Sequence, residues 1–257
     1  MTEEILKKAE LVAADYKAAF GDDLVAVVLY GSGVTAEYDS KKSDLNFLIL
    51  LSEEGIDRLH LAHELVAKWR KNKVATPLFL TKAYIESSLD TFPIEFLNIK
   101  RSYKLIAGED ALKGISFKKN FIRMQCEREL KGKLLLLRER YIETRGKPRV
   151  LRQLVSASLP TFIFVFKGLL YLLDKEVPET KQETVVALSQ ALDLDDALFS
   201  SLLQIEGGAL KPSSQEIDDI FKRYLQQIRT LALLMDKRDW EPSPGSAEHP
   251  GKESRHG

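Results

Sequence analysis

Apolar residues recur through the first twenty positions at Ile5, Leu6, Ala9, Leu11, Val12, Ala13, Tyr16 and Phe20, with charges between them. That 3.6-residue period predicts an amphipathic helix over 3–20, closed by Gly21-Asp22-Asp23. Leu24–Tyr30 (LVAVVLY) is continuously apolar and rich in β-branched residues, which predicts a buried strand. Gly31-Ser32-Gly33 breaks it, and a polar loop, Tyr38–Ser43, follows. Asp44–Leu51 (DLNFLILL) predicts a second strand, polar only at its start. A helical period over 56–72, a short strand at Thr76–Leu80 and a short helix over 82–89 come next. Pro93–Leu105 (PIEFLNIKRSYKL) is expected to be extended, and Ala107–Asp110 to turn.

From about residue 117 the period is helical throughout: 118–144, 149–174 with a kink expected at Pro160, 180–192, 194–204, and 215–237 capped by Ser213 or Ser214. Beyond Glu241, proline, glycine, serine and charge predict a disordered tail. Strands alternating with helices, then helices alone, predict an α/β domain over 1–116, an all-α helical bundle over 117–239 and a tail over 240–257.

Composition removes several function classes. The 257 residues carry 38 basic and 38 acidic side chains, so no bulk charge draws the chain to nucleic acid, and no basic stripe interleaved with aromatics is visible. The lone Cys126 excludes an intrachain disulfide, fits a reducing, cytoplasmic setting and reads as a small buried hydrophobe. Leu154–Leu173 is long enough to span a membrane, but Lys167, Pro160 and two serines interrupt it, and a buried core helix is expected instead. The acidic first residues show no signal peptide.

The chemistry concentrates in Val27–Leu51. A buried strand ends in Gly31-Ser32, a loop of eleven residues follows, and Asp44-Leu45-Asn46 opens the next buried strand. This pattern resembles the nucleotidyltransferase (DNA polymerase β-like) superfamily, with its Gly-Ser turn, loop of similar length and carboxylate-x-carboxylate at a strand start. The resemblance covers roughly residues 20–110 and implies an α+β fold: a small mixed-sheet domain followed, as in kanamycin nucleotidyltransferase, by a helical bundle. It also implies an NTP substrate, Mg²⁺, and transfer of an NMP to a hydroxyl acceptor of unknown identity. Residues i and i+2 of a strand share a face, so two carboxylates there can hold divalent ions against a triphosphate.

Carried over by position, Gly31 and Ser32 match the phosphate turn and Asp44 the first carboxylate. Glu95, an acid among apolar neighbours, is the candidate third carboxylate, acting as metal ligand or base. Lys42 in the loop before Asp44 is a candidate for the triphosphate. Asn46 departs from the pattern: its amide offers a metal an oxygen but no charge. Two readings follow: an Mg²⁺-dependent nucleotidyltransferase, or a catalytically degenerate relative that binds nucleotide or protein partners. The abundant apolar surface of the helical half is accounted for by a bundle core, a homodimer interface, or both. An Arg-x4–6-His ribonuclease signature is absent from the helices.

Overall fold

The computed structural model of the chain describes residues 1–35, 38–40 and 43–237. Helix α1 (Glu3–Phe20) starts at Thr2, whose hydroxyl accepts the Ile5 N–H, and buries Ala9, Val12, Tyr16 and Phe20 against the sheet. Strands β1 (Leu24–Tyr30) and β2 (Asn46–Leu51) follow, then α2 (Glu53–Ile56), a 3₁₀ turn at Leu59–Ala62 and α3 (His63–Arg70). Strand β3 (Leu78–Leu80), α4 (Lys82–Ser88), α5 (Pro93–Arg101) and β4 (Tyr103–Gly108) complete the first part. The sheet order is β3-β2-β1-β4. Strand β1 is antiparallel to β2 and β4, and β2 is parallel to β3, so the sheet is mixed as the resemblance implied.

Alternation along β2 sorts the two faces. Leu45, Phe47, Ile49 and Leu51 enter the core shared with α1 and α3, and Leu48 and Leu50 enter the core beneath α4 and α5. Asp44 and Asn46 have the parity of Leu48 and therefore face the α5 side.

Pro93–Leu105 corrects an expectation. Its first nine residues form α5, and only its end enters a strand, β4. Pro93 occupies the first helical turn, where its missing N–H costs nothing, and Glu95 complements the N-terminal dipole. The helix is buried on two sides: Phe96 and Ile99 pack on the sheet, while Ile94 and Leu97 join the core of the helical half.

That half contains α6 (Lys119–Glu143), α7 (Pro148–Leu172), α8 (Lys181–Leu192), α9 (Asp196–Glu206) and α10 (Ser214–Lys237). The apolar α7 is its central helix, with Leu151, Val155, Leu159, Phe162, Phe166 and Leu169 buried among its neighbours, and it continues through Pro160 as one element. Lys167 escapes that core by donating to the Glu179 carbonyl at 3.2 Å. Ser213 caps α10 in a reciprocal box: its hydroxyl accepts the Glu216 N–H, and Glu216 accepts the Ser213 N–H at 2.8 Å. Met124, Leu135, Leu136 and Ile142 on α6 remain exposed. The expected tail lies outside the described residues.

Candidate functional site

The end of β1 bends into a 3₁₀ turn, Gly31–Val34. Gly31 sits at φ +75°, a left-handed conformation that favours glycine, and a Cβ there would lie 3.5 Å from the Asn46 side-chain nitrogen. Asn46 is thus laid against the turn, where the register pairs it with Tyr30, and Tyr30 in turn with Tyr103 on β4. Asp44 precedes Asn46 by two residues on the same face. The structure therefore sets Gly31 against Asn46 at one end of the sheet, with Ser32 next in the turn and Asp44 two residues before Asn46.

The Gly31 N–H is already given to the Ser102 carbonyl at 2.8 Å, and the Ser32 carbonyl accepts from both the backbone and hydroxyl of Thr35. Ser32 lies in the first positions of the 3₁₀ turn, whose N–H groups have no partner within the turn, and Gly33 is buried. Burial pushes the Tyr30 phenol up. Burial also raises the Tyr38 phenol, and the charges of Asp44, Glu4 and Asp39 raise it further.

Glu95 does not stand on a strand beside these residues. It lies in the first turn of α5, where its Oε2 accepts a 2.6 Å hydrogen bond from Nε2 of Gln125 on α6. The same Gln125, 3% exposed, accepts the Ile94 N–H through Oε1 at 2.8 Å. Glu95 is thereby built into a clamp between α5 and α6. Lys42 lies outside the described residues.

Among the described residues, the donors at this end of the sheet do not fit a divalent ion. Asp44 supplies one carboxylate and Asn46 one neutral oxygen, and the side of β3 next to Leu48 presents Leu78. Among the described residues no group of three His, Cys, Asp or Glu side chains could hold a metal. Mg²⁺ favours carboxylate and phosphate oxygens in octahedral array, and one carboxylate is a poor anchor for a pair of ions.

Two cavities are lined by residues next to this end of the sheet. One, of about 980 Å³, lies between Arg101 and Ser102 on the sheet side and Lys175–Thr180 with α8 on the other. The other, of about 450 Å³, is lined by Asp44, Arg70, Lys71, Lys73, Val74, Ala75 and Thr76. Sequence reasoning passed over the three cations of the second cavity. Their signal is the run Arg70-Lys71-Asn72-Lys73, which at a helix end reads as ordinary solvated charge.

No protein-family model and no curated protein matches the chain. Among solved structures it is similar in fold to spectinomycin adenyltransferase from Enterococcus faecialis, crystallised with ATP and spectinomycin. The identity is 15% and the TM-score 0.49, over 88% of this chain and 100% of that one.

Proposed function

We propose that this chain is a nucleotide-binding protein on a nucleotidyltransferase-like fold, in which the carboxylate set for two-metal transfer has been dismantled. The observation that carries the reading is the pairing of a preserved phosphate turn with an altered acid set. Gly31 keeps its left-handed conformation against Asn46, and Asp44 keeps its place two residues before it. The second acid is an amide, and the candidate third is engaged by Gln125. What survives is the part that recognises phosphate. The part that would polarise the phosphoryl group and activate an acceptor is depleted.

The proposed division of labour places the nucleoside triphosphate at the turn, within residues 1–116. The helical part, 117–239, presents the exposed apolar positions of α6 to a protein partner or a second copy of the chain. Nucleotide occupancy would report to that part through α5, which packs on both the sheet and the helical core.

Calorimetric titration of the purified protein with ATP and GTP, paired with an assay for pyrophosphate release, tests the reading. Binding without steady pyrophosphate release is the expected result. Absence of any triphosphate binding by folded protein would refute it. Steady release dependent on Asp44 would restore the transferase reading.

A further inference from the structure

The run Arg70-Lys71-Asn72-Lys73 is built as a fixed turn against the start of β2. The Val74 N–H bonds the Trp69 carbonyl at 3.1 Å and the Lys73 N–H bonds that of Arg70 at 3.3 Å, the paired bonds of a Schellman cap. Lys73 takes the left-handed position at φ +62°, where glycine is the usual occupant. The turn is then sewn to β2: the Leu45 N–H donates to the Lys73 carbonyl and the Ala75 N–H to the Leu45 carbonyl, both at 2.9 Å. Leu45 sits directly between Asp44 and Asn46. The backbone therefore holds the cationic turn beside the two polar positions of the site.

Around the resulting cavity, three side-chain cations face one carboxylate. Arg70, Lys71 and Lys73 make no ion pair or side-chain hydrogen bond among the described residues. A fourth cation, Lys8 of α1, donates to the Asn72 carbonyl at 3.4 Å. Basic residues also suit a helix C-terminus in their own right, because they offset its partial negative charge. Here the carbonyls of Trp69, Arg70 and Lys73 already accept backbone hydrogen bonds, and one partial charge needs fewer than three full ones. The excess positive charge disfavours a divalent cation at Asp44 and favours a polyanion. The volume of about 450 Å³ falls in the range of ligand pockets, roughly 300–1,000 Å³.

We propose that Arg70, Lys71 and Lys73 neutralise the phosphate chain beside Asp44, so that this site takes triphosphate as the free anion without a divalent metal. The inference rests on the nucleotide-binding reading and adds the means by which phosphate charge is met. Asp44 changes sign in the argument: it opposes the ligand, where a metal site would need it.

The test is titration of the full chain with ATP and, separately, with inorganic tripolyphosphate, each in EDTA and in Mg²⁺. Both ligands are expected to bind in EDTA, with affinity falling as salt is raised. The double variant Arg70→Ala/Lys73→Ala should weaken binding roughly tenfold, the effect of two charge-assisted contacts at an exposed site. Asp44→Asn should leave affinity in EDTA unchanged or raise it. All three positions are on the surface, and circular dichroism of each variant confirms the fold. Binding that appears only with Mg²⁺, or is lost in Asp44→Asn, would overturn the proposal while leaving nucleotide binding intact. Binding indifferent to Arg70→Ala/Lys73→Ala would overturn it too. Tripolyphosphate binding without ATP binding would uphold this site and refute the nucleotide reading, and failure of both ligands would refute both.

Discussion

Gln125→Leu removes the one side chain that ties α5 to α6 through polar contacts at both ends. Gln125 is 3% exposed; it accepts the Ile94 N–H at 2.8 Å and donates to the Glu95 carboxylate at 2.6 Å. Leucine fills similar volume and supplies neither group. Ile94 is fully buried, so its N–H would lose its partner in a dry setting, at a cost of about 1–3 kcal/mol. Glu95 is only half-buried and water can replace part of the lost contact, which adds about 1 kcal/mol. The total of about 2–4 kcal/mol corresponds to a fall in Tm of roughly 4–16 °C for a chain of this size. Thermal unfolding followed by circular dichroism measures it. Glu95→Gln keeps an acceptor oxygen and should cost under about 1 kcal/mol. It should also leave triphosphate affinity unaltered, because Glu95 serves the clamp. A Gln125→Leu protein within about 1 kcal/mol of the parent would refute the clamp, and loss of nucleotide affinity in Glu95→Gln would return that acid to the binding site.

Gly168→Ala should destabilise the chain by about 1–3 kcal/mol through overpacking. Its Cβ would lie 2.9 Å from the Cys126 sulfur and 3.3 Å from Ile94, and Cys126→Ala in the same chain should recover part of the loss in a double-mutant cycle of urea melts. Acid should weaken the helical half first. Hydrogen bonds from Arg223 and Lys222 hold the Asp195 and Asp218 carboxyls below their ordinary value, so their stabilisation is complete above an unfolded pKa of about 4 and is lost as pH falls through the folded one. Stability followed by urea melts should be flat between about pH 7 and 5 and decline below about 4, and Asp195→Asn should shallow that decline; a decline beginning near neutrality would contradict the assignment.

The elements that the chain's pattern predicts well are those with one unambiguous environment. Strand β1 is apolar without interruption because both its faces are covered, and α10 alternates sharply because one face meets water. Helix α5 was misread for a physical reason. It is wedged between the sheet and the helical core, so Ile94, Phe96, Leu97 and Ile99 are all buried, and only a narrow polar stripe of Glu95, Asn98 and Arg101 marks the helical period over nine residues. A short apolar run of that kind does not distinguish strand from helix by period. The signals that favoured helix were Pro93 at the first position and an acid in the first turn. In the site, Asp44, Asn46 and the glycine turn were legible because they are close in sequence. The cations of Arg70–Lys73 were not, because only the bridge between Leu45 and Val74 brings them alongside.

That geometry also limits what repairing one residue can achieve. Asn46→Asp restores an i,i+2 pair of carboxylates with Asp44, on the same face, and should raise Mn²⁺ affinity measurably. It supplies no third acid, and the cations of the neighbouring turn continue to oppose a second metal charge. The vacant direction is β3, whose Leu78 is 43% exposed and pairs with Leu48 on the face that Asn46 shares. With parallel strands about 4.8 Å apart and a rise of about 3.3 Å per residue, positions 46 and 78 are separated by about 8 Å along the diagonal, within reach of a glutamate side chain. Asn46→Asp alone should therefore bind metal without turning over ATP, whereas Asn46→Asp/Leu78→Glu should show the first pyrophosphate release above background. Turnover by the single variant would mean that Glu95 can leave Gln125 to serve the site, and the clamp would then have to be read as a resting state.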